Sequence, residues 1–260
     1  MNTRITLTAA ALAALPLVSQ AALLEVTVTV ENLAAENGIG FAPLRLGFHA
    51  GHFDAFNLGE AAGAPIISVA EGGSGSAWFP AFAAADPTAT LGTVLPTPAG
   101  PLLPGANGQA TFLVDTAVNP FFTFAAMVIP SNDFFIGNDD PQEYRLFDAA
   151  GNLLLTSIDQ LARDIWDAGS EIFDPAAAAF VGDNGLRADQ NSVVAFNFAE
   201  LAAFNGLLTG AGYTFASGLA ADDAVYRISF SATPVPLPAA LPLLLGGVGL
   251  LGGLARRGTA

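Results

Sequence analysis

From Leu24 to Glu31 the chain alternates without a break. Leu24, Val26, Val28 and Val30 fall on one side, and Glu25, Thr27, Thr29 and Glu31 on the other. A period of two is that of a strand with one buried face, and such a strand needs partners and an apolar cover. The rest of the sequence predicts more strands rather than long helices. It is 52% hydrophobic, yet 28 Gly and 17 Pro interrupt it. That mixture fits short strands joined by many turns.

Leu44 to Phe48 reads as a second strand. Ala110–Val114 and Phe121–Ile129 read as a strand pair around Asn119-Pro120, and Tyr144–Phe147 and Leu153–Leu155 as a hairpin around Ala149-Ala150-Gly151-Asn152. Val193–Phe198 and Ala224–Phe230 complete the set, with Tyr226, Ile228 and Phe230 on one face. The Gly-, Pro- and Ala-rich stretch from Gly72 to Gly108 reads as long loops with room for one short helix. A helix is predicted after Ser157, its cap, with Gln160 as capping-box partner. Ile158, Leu161 and Ile165 then share a face, and Gly169 ends it. A helical turn is expected at 176–180, after Pro175. The expected architecture is mainly β, an antiparallel β-sandwich with small helical insertions.

The two ends read as addresses rather than parts of the fold. Arg4, the apolar stretch Ile5–Val18 and Ser19-Gln20-Ala21 have the order of a signal peptide, residues 1–21. At the other end, Leu237–Leu254 carries no charged side chain and is followed by Arg256-Arg257. As a helix it spans about 27 Å, close to a bilayer core, and the arginines should stay on the cytoplasmic side. With VPLPA at 235–239 in front of it, the segment 234–260 resembles the C-terminal sorting signals of Gram-negative bacteria. That resemblance implies an exosortase-type sorting protease as partner and a destination at the cell surface or outside it. A plain membrane anchor is the alternative. The domain between these ends is 22–233.

That domain holds all 23 acidic residues and five of the eight arginines, for a formal charge of −18, and the chain has no lysine. Such a surface repels nucleic acid and anionic lipid. It suits divalent cations or a salty medium. Cysteine is absent, so disulfides, thiol nucleophiles and thiolate metal sites are excluded.

Two acidic turns stand out. MVIPSNDFFIG (127–137) runs an apolar strand into a turn that presents Asp133, with Asn138, Asp139 and Asp140 beside it. WDAGSE (166–171) places Asp167 and Glu171 around a flexible Gly. Carboxylates on turns can join carbonyl oxygens around calcium, which takes six to eight hard oxygens. Asp also caps turns without any metal. His49-Ala50-Gly51-His52 could bind a transition metal only if a turn brought both rings together, and a structural role for His49 is the simpler reading. No nucleophile elbow is present, and the Gly-rich Gly73-Ser74-Gly75-Ser76 lacks the Lys of a phosphate cradle. The chain is not expected to be an enzyme, although its many carboxylates leave a glycosidase open.

VTVTVENLA (26–34), LGFHAGHFDAFNLGE (46–60), VAEGGSGSAWF (69–79), MVIPSNDFFIG and WDAGSE together resemble the spondin domain, the extracellular module of F-spondin and mindin. The resemblance covers most of residues 24–175. It implies a C2-like β-sandwich that binds calcium, with Asp133 and Asp167 matching ligand positions and Asp115 the nearest candidate for a third. Phe134 stands where the animal members have Trp, and Glu171 where they have Asp. Their disulfides are missing. It further implies a role in adhesion or in interaction with extracellular matrix, biofilm or exopolysaccharide. The alternatives are a carbohydrate-binding or weakly hydrolytic module, with Trp78 and Phe79 as sugar-stacking candidates, and a passive surface-layer component.

Overall fold

A computed structural model describes residues 23–235. The expected signal peptide (1–21) and nearly all of the expected sorting segment (234–260), including its apolar run, lie outside the described residues. Among the described residues, no helix is long and apolar enough to cross a membrane.

The chain forms two antiparallel sheets with few helices. In order, the elements are β1 (Leu23–Asn32), β2 (Gly40–Phe41), β3 (Leu44–His49), α1 (Ala64–Ala70), α2 (Trp78–Ala85), β4 (Thr90–Val94), β5 (Asn107–Asp115), β6 (Phe121–Ile129), β7 (Phe134–Gly137), β8 (Tyr144–Arg145), β9 (Ser157–Leu161), β10 (Trp166–Asp167), β11 (Ala195–Phe196) and β12 (Ala224–Pro234). One sheet runs β5-β1-β12-β9. The other runs β11-β10-β7-β6-β3-β4, with β2 and β8 also paired to β6.

The alternation of β1 sets the shared core. Val26, Val28 and Val30 are fully buried against Tyr226, Ile228 and Phe230 of β12, and all of them pack with Leu46 and Phe48 of β3 and Phe122, Phe124 and Val128 of β6. The second sheet is covered on both faces, so β6 is buried almost end to end. Its larger side chains face the first sheet. Its outer face carries Thr123, Ala125 and Met127, and there α1, α2 and the 53–56 loop form a second core of Phe53, Phe56, Ile66, Trp78 and Phe82. Gly47 shows how closely α2 seats: a Cβ there would lie 2.5 Å from the Phe82 ring.

Several expectations change. The helix predicted after Ser157 does not form. Ser157–Leu161 is strand β9, paired with β12 through Ile158↔Ile228 and Gln160↔Tyr226, followed by one 3₁₀ turn at Ala162–Asp164. Ile158 and Gln160 are the buried positions, a period of two that the polar Gln160 conceals. The strands on either side of Asn119-Pro120 both form but do not pair, because β5 joins β1 while β6 joins β3 and β7. Residues 176–180 make turns rather than a helix, ending in Phe180 at φ 77°. Trp78 lies in the core, fully buried, and offers no open ring to a sugar.

The sandwich closes unequally at its sides. On one side the edge strands β4 and β5 run beside each other, with the Phe112 ring over Gly92. On the other side, edge strand β9 faces the short β7–β10–β11 edge, and a cavity remains between them.

Candidate functional site

The two acidic turns meet at the end of the sandwich where β6 finishes. The turn after β6 holds itself first: the Ser131 hydroxyl donates to the Val128 carbonyl at 2.5 Å and accepts the Phe134 N–H at 3.1 Å. Pairing of β7 with β10 then sets Asp167 opposite Phe134, and the Asp133 carbonyl accepts the Ala168 N–H at 3.1 Å. Asn132 locks a further stretch. Its Oδ1 accepts the Asp174 N–H at 3.1 Å and its Nδ2 donates to the Asp174 carbonyl at 3.2 Å.

Asp133 is the hub. It is buried, and its Oδ2 accepts the Ser170 N–H at 2.7 Å, the Glu171 N–H at 2.9 Å and the Ser170 hydroxyl at 3.2 Å. Half-buried Asp167 curls the same turn: its Oδ1 accepts the Gly169 N–H at 2.7 Å and its Oδ2 accepts Asn197 Nδ2 at 3.3 Å. Gly169 takes φ 65°, which a side chain would resist. Burial first, and then the charge of Asp167, push the Asp133 carboxyl up to about 6, against the three donors that favour its ionised form. Glu171 is also buried, and Arg187 bridges it to Glu71 at 2.7 and 3.2 Å. Burial raises the Glu171 carboxyl while the Arg187 bond opposes the rise.

Asp115 stands elsewhere. It ends β5 before the turn into β6, where its Oδ1 accepts the Ala117 N–H at 3.1 Å. Asp133 follows the far end of β6, a nine-residue strand of roughly 30 Å. The structure therefore brings together Asp133 and Asp167 but not Asp115. Among the described residues, no group of three or more His, Cys, Asp or Glu side chains is placed to hold a metal. The Asp133 corner brings two carboxylates together, short of the six to eight oxygens calcium takes, so carbonyl oxygens or water would have to complete any cation shell there. Such sparse sites belong to the weak end of calcium affinities, about 10⁻⁴–10⁻³ M.

His49, the last residue of β3, is fully buried opposite Phe121 at the start of β6. Its Nδ1 accepts the Gly51 N–H at 3.0 Å, which leaves the proton on Nε2, 2.9 Å from the Thr123 hydroxyl. Asn138 extends the chain by donating to Thr123 at 3.2 Å while its Oδ1 accepts the Phe124 N–H. Burial lowers the His49 imidazole to about 4. His52 is largely exposed and sits 3.4 Å from Asp86.

Sequence reasoning missed the Asn132–Asp174 lock, the Arg187 bridge and the cavity beside β9. The first two join residues far apart in the chain, with no local pattern to signal them. The third required Gln160 to be read as a buried strand position.

No protein-family model matches the chain, and none of the curated proteins searched matches it.

Proposed function

We propose that this chain is an exported, spondin-like module with a C2-like sandwich, whose Asp133–Asp167 corner takes calcium and whose role is interaction outside the cell. One observation carries the reading. Two carboxylates on separate turns face one corner of the sandwich, and their mutual repulsion adds to burial in raising Asp133. A divalent cation relieves that repulsion; a proton does so only at low pH. Asp133 Oδ2 accepts three donors, whereas each Asp167 oxygen accepts one and keeps a lone pair, so Asp133 Oδ1 and the Asp167 carboxylate are the oxygens that would hold the ion. With its charge balanced, the 167–174 segment is held in one conformation and can present a binding face, since loops on a rigid scaffold are the common place for recognition. The VPLPA-containing end would deliver the module to the surface through an exosortase-type protease, and adhesion or contact with matrix, biofilm or exopolysaccharide is the corresponding role.

The proposal treats the chain as a binding module rather than an enzyme. The polysaccharide-module alternative loses Trp78 as a stacking platform, because that ring is fully buried. Calorimetric titration of the purified chain with calcium tests the reading. Saturable binding that Asp167→Asn weakens supports it, and no heat up to millimolar calcium overturns it.

A further inference from the structure

The cavity beside β9 is separate from the Asp133 corner. It lies past Gly137, at the opposite end of β7 from Asp133, about 13 Å along the strand. Its volume is about 190 Å³. Three features of its wall act together.

The first is uncompensated charge. Glu143, Asp164 and Asp139 line it, and no basic side chain does. Asp159 at its margin is already held by Arg227, at 2.6 and 2.8 Å. The second is an aromatic lip. Phe196 is 51% exposed and stacks on Trp166 with ring centroids 3.8 Å apart. Trp166 spends its own N–H on the Gly137 carbonyl, at 3.1 Å, so it offers the cavity a ring and no donor. The third is an acceptor with nothing to accept. Gln160 is 4% exposed and lines the cavity, and its Oε1 has no hydrogen-bond partner. The Tyr144 hydroxyl lies beside both Gln160 and Glu143. Buried amide oxygens are seldom left in this state.

We propose that the cavity between β9 and the β7–β10–β11 edge binds a small organic cation, an alkylammonium group, through Glu143, Asp164, Gln160 and the stacked Trp166–Phe196 pair. Carboxylates beside aromatic faces attract such a group by charge and by the ring quadrupole. A bare divalent metal would gain nothing from the stacked rings, because it takes oxygen ligands rather than ring faces. A neutral sugar does not need an uncompensated acidic wall. The inference does not depend on the calcium reading.

The test is a titration of the full chain with methylammonium, which carries N–H donors as well as charge, at constant ionic strength, followed by Trp166 emission. Buried Trp78 supplies a constant background. The expected result is a saturable change. Phe196→Ala, a change at an exposed ring, should weaken it about fivefold, within the cation–π range. Glu143→Gln should weaken it about tenfold. Parallel titrations with calcium and with glucose separate the other occupants. A saturable response to either of these, with none to the ammonium ion, overturns the proposal. So does a response to ammonium that survives both Phe196→Ala and Glu143→Gln, or the absence of any saturable response up to about 100 mM, the range where single weak contacts fade.

Discussion

The Asp133 carboxylate accepts the backbone N–H of Glu171 at 2.9 Å, across 38 positions of sequence. That bond and its two companions from Ser170 make a side chain of one turn the organiser of another. The acidic residue that a cation would use is thus also the residue that shapes the loop around it. Its two oxygens divide these tasks, and the consequences can be measured separately.

Asp133→Ala leaves the Ser170 and Glu171 N–H groups and the Ser170 hydroxyl without their acceptor. Buried donors left unpaired cost about 1–3 kcal/mol each, offset here by removal of a buried charge and by water reaching half-buried Ser170. A net loss of about 2–4 kcal/mol is expected in urea unfolding. Asp133→Asn keeps one acceptor and removes the repulsion from Asp167, so its loss should be about 1 kcal/mol or less.

The pH dependence follows from the same group. The folded Asp133 carboxyl titrates at about 6, above the usual 3.8, so the folded state binds this proton more tightly than the unfolded chain does. Between those values the native state holds more protons, and stability falls as pH rises through the window. The contribution is fully present below about pH 4 and gone above about pH 6, amounting to at most about 3 kcal/mol. Urea midpoints from pH 4 to 7 in chelator should show this decline, and Asp133→Asn should reduce it, with the raised Glu171 carboxyl supplying part of the remainder. A midpoint rising steadily over that range in both proteins would contradict the assignment.

Gly169 turns the acidic loop at φ 65°, and a Cβ there would lie 2.8 Å from the Val193 carbonyl oxygen. Gly169→Ala meets both the left-handed backbone penalty and that contact. A loss of about 2 kcal/mol is expected, with weaker calcium binding because Asp167 moves with the turn.

Gly47 tests the packing of the helical layer. In mid-strand, Ala is ordinarily better than Gly by about 0.5–1 kcal/mol. Here the new methyl would press on the Phe82 ring at 2.5 Å and on Leu91 at 2.8 Å. Overpacking should reverse the sign and give a net loss of about 1–3 kcal/mol by urea unfolding.

What could be read in advance follows the reach of each signal. β1 and β12 were legible because each buries one face and alternates accordingly. β6 was legible as a strand because both faces are covered and the run is apolar throughout. β9 was not. Ile158, Leu161 and Ile165 have helical spacing, and the second buried position of the true strand is a glutamine. β11 lies inside the expected strand Val193–Phe198, of which only Ala195–Phe196 forms, and β10 at two residues is too short for any periodicity. Asp133 and Asp167 were singled out by turn chemistry and by resemblance, but their meeting is a tertiary fact fixed by the β7–β10 pairing. Asp115 was selected for nearness in sequence, and the length of β6 carries it to the other end. The cavity beside β9 leaves no mark in a segment whose apolar spacing predicts a helix.

The most direct test of the central proposal is the thermal midpoint of the purified chain at pH 7.5, in chelator and in about 5 mM calcium, well above a weak site's dissociation constant. A ligand that binds only the native state raises the midpoint. The account predicts a rise of a few degrees for a domain of this size, reduced by at least half in Asp167→Asn and not reproduced by magnesium. A wild-type midpoint unchanged by calcium, or a rise equally large in Asp167→Asn, would contradict it.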